Sequence, residues 1–245
     1  MREYEMNEKQ LKKCVKYAKR GDIRAQFVLS QYYFEQFDER KALKWCIKAA
    51  ENDHLEAIRK LACQYDGGKR SSRKAAYWYT KAAEAGDTSA KYRLGEMYYY
   101  GSGNLRKNLK MALKWLNLAA DDGHDAAQYQ LGTLYWFGYD KVRDYDKAVF
   151  WLVKAAEQGN PNGQYYLADC YISGIGVKPD YVAAAYWLLR AAENDNKDAI
   201  QTLFDWEKQS DYANYVKVAK CLSKPPYSPL WVSKEEQEIV EKTAE

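Results

Sequence analysis

The chain has 245 residues, 47% of them hydrophobic and 29% charged, and carries a net charge of +4. That composition supplies a core and excludes an intrinsically disordered chain, while 38 basic against 34 acidic residues is too even to mark a nucleic-acid or acidic-surface partner by itself. No stretch of 18 consecutive apolar residues occurs, which excludes a membrane-spanning helix.

Residues 1–21 are expected to form an N-terminal capping half-repeat. Met1 to Lys9 mixes charges of both signs without an apolar stretch, so it does not read as a secretory signal, and a cytoplasmic location is expected. Asn7 and Gln10 are spaced as a capping box, and Leu11, Cys14, Val15 and Ala18 make one apolar helical stripe.

Residues 22–209 repeat. Alanine pairs end at Ala50, Ala83, Ala120, Ala156 and Ala192, advancing by 33, 37, 36 and 36 residues. Five positions before each stands Trp45, Trp78, Trp115, Trp151 or Trp187, and three before each tryptophan stands Ala42, Ala75, Ala112, Ala148 or Ala184. Counting forward from the second alanine, with Ala18 as an incomplete first copy, plus seven is Ala25, Ala57, Ala90, Ala127, Gly163 and Ala199. Plus eleven is Leu29, Leu61, Leu94, Leu131, Leu167 and Leu203, and plus fifteen is Tyr33, Tyr65, Tyr98, Tyr135 and Tyr171, then Glu207. These positions fall at i, i+4 and i+8 on one helix and at i, i+3, i+7 and i+8 on a second, so each copy encodes two helices. Gly101, Gly138 and Gly174 stop the first-type helix, and Gly21, Gly86, Gly123 and Gly159 stop the alanine-pair helix. Asp53 and Asp195 replace that second glycine and are expected to adopt the same left-handed turn. One helix pair cannot bury both of its stripes, so successive pairs must stack.

Residues 210–245 are expected to hold a C-terminal capping helix, a proline-rich linker and a final helix. Tyr212, Tyr215, Val216 and Ala219 lie at helical spacing within 211–222; Pro225, Pro226 and Pro229 then block helix. Ser233 with Glu236 predicts a last capped helix to about Ala244, whose only strongly apolar residues are Ile239 and Val240. Pro226-x-x-Pro229 matches the minimal polyproline pattern, in the context of an ordinary linker.

The pattern of Ala, Leu-Gly and Tyr, a Gly-x-Gly turn, an Asp-Tyr start, then Ala, Trp, Ala-Ala and Gly resembles the Sel-one-like repeat family, relatives of the tetratricopeptide repeats. The clearest copies run from Asp87 to Gly123 and from His124 to Gly159, and the resemblance extends from about Lys13 to Lys208. It departs at Gln36, where a turn glycine is expected, and at Glu207. The resemblance implies an all-α, right-handed superhelical solenoid of antiparallel helix pairs acting as a non-enzymatic adaptor or scaffold. It also suggests an alternative role, neutralising a secreted effector in the manner of an immunity protein.

Catalytic, cofactor and metal sites are not expected. Five scattered cysteines, Cys14, Cys46, Cys63, Cys170 and Cys221, form neither a zinc pattern nor a disulfide framework and are expected as buried or partly buried thiols. His54 and His124 stand two repeats apart without a fixed carboxylate or thiol partner and read as turn residues. Nucleophile-elbow and phosphate-loop motifs are absent.

A second stripe on each first-type helix, at plus ten, plus thirteen and plus sixteen or seventeen, is not fixed by the repeat. It reads Lys60 and Cys63, then Arg93, Glu96, Tyr99 and Tyr100, then Gln130, Thr133, Trp136 and Phe137, then Tyr166 and Asp169. In helical solenoids this helix lines the concave surface, and aromatics beside arginine are what interface hot spots favour, so these residues are the expected contacts for another protein or peptide segment. Trp136 and Tyr99 could equally fill space between repeats. The rival reading is nucleic-acid binding, because residues 1–74 hold 18 basic and 11 acidic residues. Against it, Lys9, Lys12, Lys13, Lys16, Lys19 and Arg20 surround a short helix rather than line one groove.

Overall fold

The computed structural model describes residues 6–68, 71–138 and 143–222, the side chain of residue 211 excepted. Among these residues there are thirteen helices and no strand: α1 (Glu8–Lys19), α2 (Ile23–Glu35), α3 (Glu39–Glu51), α4 (Leu55–Tyr65), α5 (Ser72–Glu84), α6 (Thr88–Tyr100), α7 (Leu109–Asp121), α8 (Asp125–Phe137), α9 (Tyr145–Glu157), α10 (Pro161–Ser173), α11 (Tyr181–Glu193), α12 (Lys197–Glu207) and α13 (Ser210–Lys220). Even-numbered helices from α2 to α12 are the first-type helices of the repeat. The fold is an all-α helical repeat solenoid. It divides into two compact units, Met1–Ala119 and Ala120–Glu245.

Starts and stops are chemically uniform. The expected capping box at Asn7 and Gln10 is present, with both reciprocal bonds at 2.9 Å. Each later first-type helix is capped by the residue at plus four, whose side chain accepts from the backbone N–H at plus seven: Asp22, His54, Asp87, His124, Asn160 and Asn196. The two histidines therefore serve as N-caps through Nδ1, at 3.3 and 3.4 Å. Asp53 and Asp195 adopt the expected left-handed turn, with φ of 60° and 61°. In the first copy, where Gln36 displaces the turn glycine, Phe37 takes φ 58° with its ring in solvent, a conformation costing roughly 1–2 kcal/mol for such a residue.

The repeat positions build the core of each unit. Leu29, Leu61, Leu94, Leu131 and Leu167 are fully buried, each contributing roughly 1.5–3 kcal/mol, and all five repeat tryptophans are buried with them. A further position proves as restrictive as these. At plus twelve stand Ser30, Ala62, Gly95, Gly132 and Ala168, because the second helix of the pair crosses there. A Cβ on Gly95 would lie 2.6 Å from Leu116 Cγ, and one on Gly132 would lie 2.6 Å from Leu152 Cγ. At plus eight, Gln26, Gln128 and Gln164 are buried and donate to the carbonyls of Ala18, Ala120 and Ala156 at 3.0–3.1 Å, satisfying acceptors at the end of the preceding helix.

The last copy breaks the plus-twelve rule with Phe204. The predicted closing helix is present as α13, but it packs chiefly on α11 and less on α12. Tyr212 and Tyr215 ring α11's Tyr181 at 5.4 Å each, and Val216 and Ala219 are buried. The proline-rich linker with its Pro226-x-x-Pro229 pattern, the final helix from Ser233, and residues 1–5 lie outside the described residues.

Gly132→Ala separates packing from helix propensity. Propensity alone would favour alanine by roughly 0.8–1.0 kcal/mol; the crowding against Leu152, which costs roughly 1–3 kcal/mol, outweighs this and predicts a net loss of up to about 2 kcal/mol. A thermal melt followed by circular dichroism checks the sign, and an unchanged or raised Tm would refute the close-approach argument.

Candidate partner-binding surface

In the unit Met1–Ala119, the plus-ten residue of one first-type helix reaches back to plus thirteen and sixteen of the preceding one. Lys60 Nζ donates to Gln31 Oε1 and lies 4.7 Å from the centroid of Phe34. Burial holds its ammonium below the ordinary lysine range. Arg93 Nε donates to Asp66 Oδ2 at 2.7 Å, and its Nη1 donates to Glu96 Oε2 at 2.9 Å. Partial burial alone would raise the Asp66 carboxyl; the hydrogen bond and charge of Arg93, with further donors from Tyr79 Oη and the Gly67 N–H, hold it below the usual carboxylate range. Arg59 pairs with both Asp87 and Glu56. These groups surround a cavity of about 410 Å³ lined by Arg59, Cys63, Tyr79, Asp87, Tyr92 and Arg93 among others. At the end of α6 Tyr99 is half-buried and Tyr100 is 67% exposed, their rings edge to face at 4.7 Å.

In the unit Ala120–Glu245 the same register brings aromatic rings together. Tyr166 packs edge-on against Trp136 at 5.6 Å and against Phe137 at 6.2 Å, while Trp136 and Phe137 stack at 6.0 Å. Tyr129 and Tyr165 flank Tyr166 at 5.8 and 5.6 Å. Phe137 is 44% exposed and Tyr166 half-buried, so the cluster presents a ring surface to solvent over a fixed base. Asp169 lies half-buried on the same helix as Tyr166, and burial raises its carboxyl against an opposing hydrogen bond with Ser173.

Two expected surface residues are inside. Trp136 is buried, because Tyr166 of the next first-type helix covers it; it is the base of the aromatic cluster and belongs to the core. Gln130 is also buried, and neither atom of its side-chain amide has a hydrogen-bond partner among the described residues. An unmatched amide of this kind costs roughly 1–3 kcal/mol. Thr133 is half-buried and turns its hydroxyl back to the Gln130 carbonyl at 2.9 Å. Lys60, Arg93, Glu96, Tyr99, Tyr100, Phe137, Tyr166 and Asp169 remain exposed or half-buried.

The sequence reading missed Gln31, Phe34, Arg59, Asp66 and Asp87. Asp66 was within reach, since it stands at plus sixteen with opposite charge to the next copy's Arg93. The cysteines also need correction: Cys46 and Cys170 are buried and Cys14 partly so, but Cys63 and Cys221 are exposed. All five are unpaired thiols. Along α1, Lys9, Lys12, Lys13, Lys16 and Lys19 are all exposed and Lys12 pairs with Glu8, the pattern of a solvated helix.

Stacked pairs with fixed cores and variable first-helix faces define a helical-repeat protein. The Sel1 repeat model matches residues 23–54, 55–87, 88–124, 125–160 and 161–196. The chain belongs to the Sel1 repeat family, whose repeats generally act as protein–protein interaction scaffolds and are typically non-enzymatic. Among solved structures, it is similar to a Sel1 repeat protein from Oxalobacter formigenes, with 30% identity and a TM-score of 0.69 over 79% of this chain and 58% of that one. It is also similar to a protective antigen present in uropathogenic Escherichia coli strains that displays an SLR fold, with 29% identity and a TM-score of 0.57 over 89% of this chain and 52% of the other. The chain thus spans little more than half the length of either. The curated proteins give no match.

Arg93→Ala tests the ionic link between repeats. The depressed Asp66 carboxyl contributes stability above its unfolded pKa, and that contribution is lost as pH falls through the lower folded value. Removing Arg93, itself partly solvent-screened, is expected to cost about 1 kcal/mol at pH 7 and distinctly less in acid, at a pH below the lowered folded pKa of Asp66, where the carboxyl is protonated in both folded and unfolded chains. Urea unfolding at the two pH values measures both losses; equal losses would refute the pairing as the source.

Proposed function

We propose that this chain is a non-enzymatic adaptor that binds a partner protein or peptide segment through the variable faces of its first-type helices. The observation that carries the proposal is the Phe137–Tyr166 ring surface, held over buried Trp136. A rigid aromatic surface loses little side-chain entropy on binding, and aromatic anchors dominate interface energetics. In the other unit, Tyr100 with the Arg93–Glu96 pair and Lys60 offers polar and aromatic contacts of the kind found around such anchors. Asp169, Thr133 and Tyr99 complete the proposed contact set. Trp136 acts by supporting Phe137 and Tyr166 from beneath. The five unpaired thiols favour a reducing, cytoplasmic setting.

The test replaces Phe137 and Tyr166 together by alanine and measures binding of the proteins that the unaltered chain retains from its own cells. Loss of two such anchors is expected to weaken binding at least about 30-fold, with far-UV circular dichroism unchanged. Phe150→Ala, on the alanine-pair helix α9 and 41% exposed, should leave binding unchanged. Retained affinity in the double variant would contradict the assignment.

A further inference from the structure

The two units differ in the sign of their charge. Residues 1–119 hold 25 basic and 14 acidic residues, whereas residues 120–245 hold 13 basic and 20 acidic. This excess has a local counterpart on the first-type helices of the second unit. Asp169 stands three residues after Tyr166 and four after Tyr165 on α10, which puts all three on one helical face. Asp198 and Asp205 lie seven residues apart on one face of α12, and both are exposed. The charges of the two helices meet at Tyr165: burial, then the Asp169 and Asp198 carboxylates, hold its hydroxyl above the ordinary tyrosine range against an opposing hydrogen bond with Thr202. Its ring lies 5.6 Å from Tyr166, which meets Phe137 at 6.2 Å, so carboxylates border the exposed ring surface. The first unit answers its carboxylates internally, Asp66 through Arg93 and Asp87 through Arg59. Among the described residues no lysine or arginine pairs with Asp169, Asp198 or Asp205; Ser173 hydrogen-bonds Asp169, and Gln201 donates to Asp205 at 3.1 Å.

We infer that this surface takes a basic segment of a partner protein, with an arginine side chain laid on the Phe137 and Tyr166 rings and its guanidinium directed toward the Asp169 and Asp198 carboxylates. The inference rests on the partner-binding reading and names the chemistry of the partner. A guanidinium suits both halves of the surface, because it stacks flat on an aromatic ring and donates in a planar fork to a carboxylate. An ammonium is a compact, strongly hydrated point charge that matches neither geometry as well. An incoming cation also offsets the burial that raises the Asp169 carboxyl. The same three carboxylates repel an acidic segment or a nucleic acid, so the face selects against polyanions as well as for a cation.

Fluorescence anisotropy of the full chain with two labelled probes, short peptides alternating glycine with arginine or glycine with lysine, tests this at an ionic strength of about 0.15 M. The arginine probe should bind at least about fivefold more tightly than the lysine probe. Asp169→Asn/Asp198→Asn should weaken the arginine probe at least about tenfold, and Asp198→Asn alone, at an exposed position that folding tolerates, about threefold. Asp146→Asn/Glu157→Gln removes two charges from exposed positions on α9 and should leave binding within about twofold. Equal affinity for the two probes, equal loss in the two double variants, or no binding of either probe would each overturn the inference. Retention of the cell's own partner separates it from the reading beneath it. Loss in Phe137→Ala/Tyr166→Ala with full retention in Asp169→Asn/Asp198→Asn overturns the basic-segment inference alone; full retention in both overturns the partner-binding reading as well.

Discussion

The whole arrangement depends on how closely two helices of one repeat can touch. Gly95 and Gly132 lie where even a methyl group would press on Leu116 or Leu152, and Ser30, Ala62 and Ala168 hold the same place in other copies. This contact sets the spacing at which the leucine at plus eleven and the tryptophan of the second helix become buried together. In three copies a buried glutamine at plus eight then ties the first-type helix to the carbonyl end of the helix before it. Packing thereby consumes one side of every first-type helix and leaves the other to vary.

The variable side is where the copies acquire individual character. In three copies the plus-ten residue looks back to its predecessor, yet the chemistry changes from Lys60 over Phe34, through Arg93 on Asp66, to Tyr166 on Trp136. In the first of these units the result is a surface of paired charges around a cavity. In the second it is a cluster of rings. Rigid presentation is common to both, since each exposed group is braced by a partly or fully buried one.

Much of this was legible from residue spacing. The two helices of each copy, their glycine and aspartate stops, and the Asn7 capping box all follow from local rules that act within a few residues, and the structure reproduces them. The cap role of His54 and His124 was not legible, because histidine is an uncommon cap and its Nδ1 competes with no sequence marker. Trp136 and Gln130 were read as facing a partner because they share a helical stripe with Phe137 and Thr133. Whether a stripe position is open depends on the neighbouring repeat's side chain, here Tyr166 over Trp136, and that is a tertiary fact. The altered seat of α13 had a signal, a phenylalanine at a position otherwise held by small residues, but its meaning required the distances at Gly95 and Gly132.

The central claim is that the first-helix face binds protein and the alanine-pair helices do not. Phe137 and Phe150 make a matched pair for testing it, being 44% and 41% exposed on helices of the two types. A photoreactive phenylalanine placed at each position in turn, followed by irradiation in the native cell and mass spectrometry, reads the claim directly. The account predicts a discrete cross-linked protein from position 137 and none from position 150. Equal cross-linking at both, or cross-linking only from position 150, would contradict it.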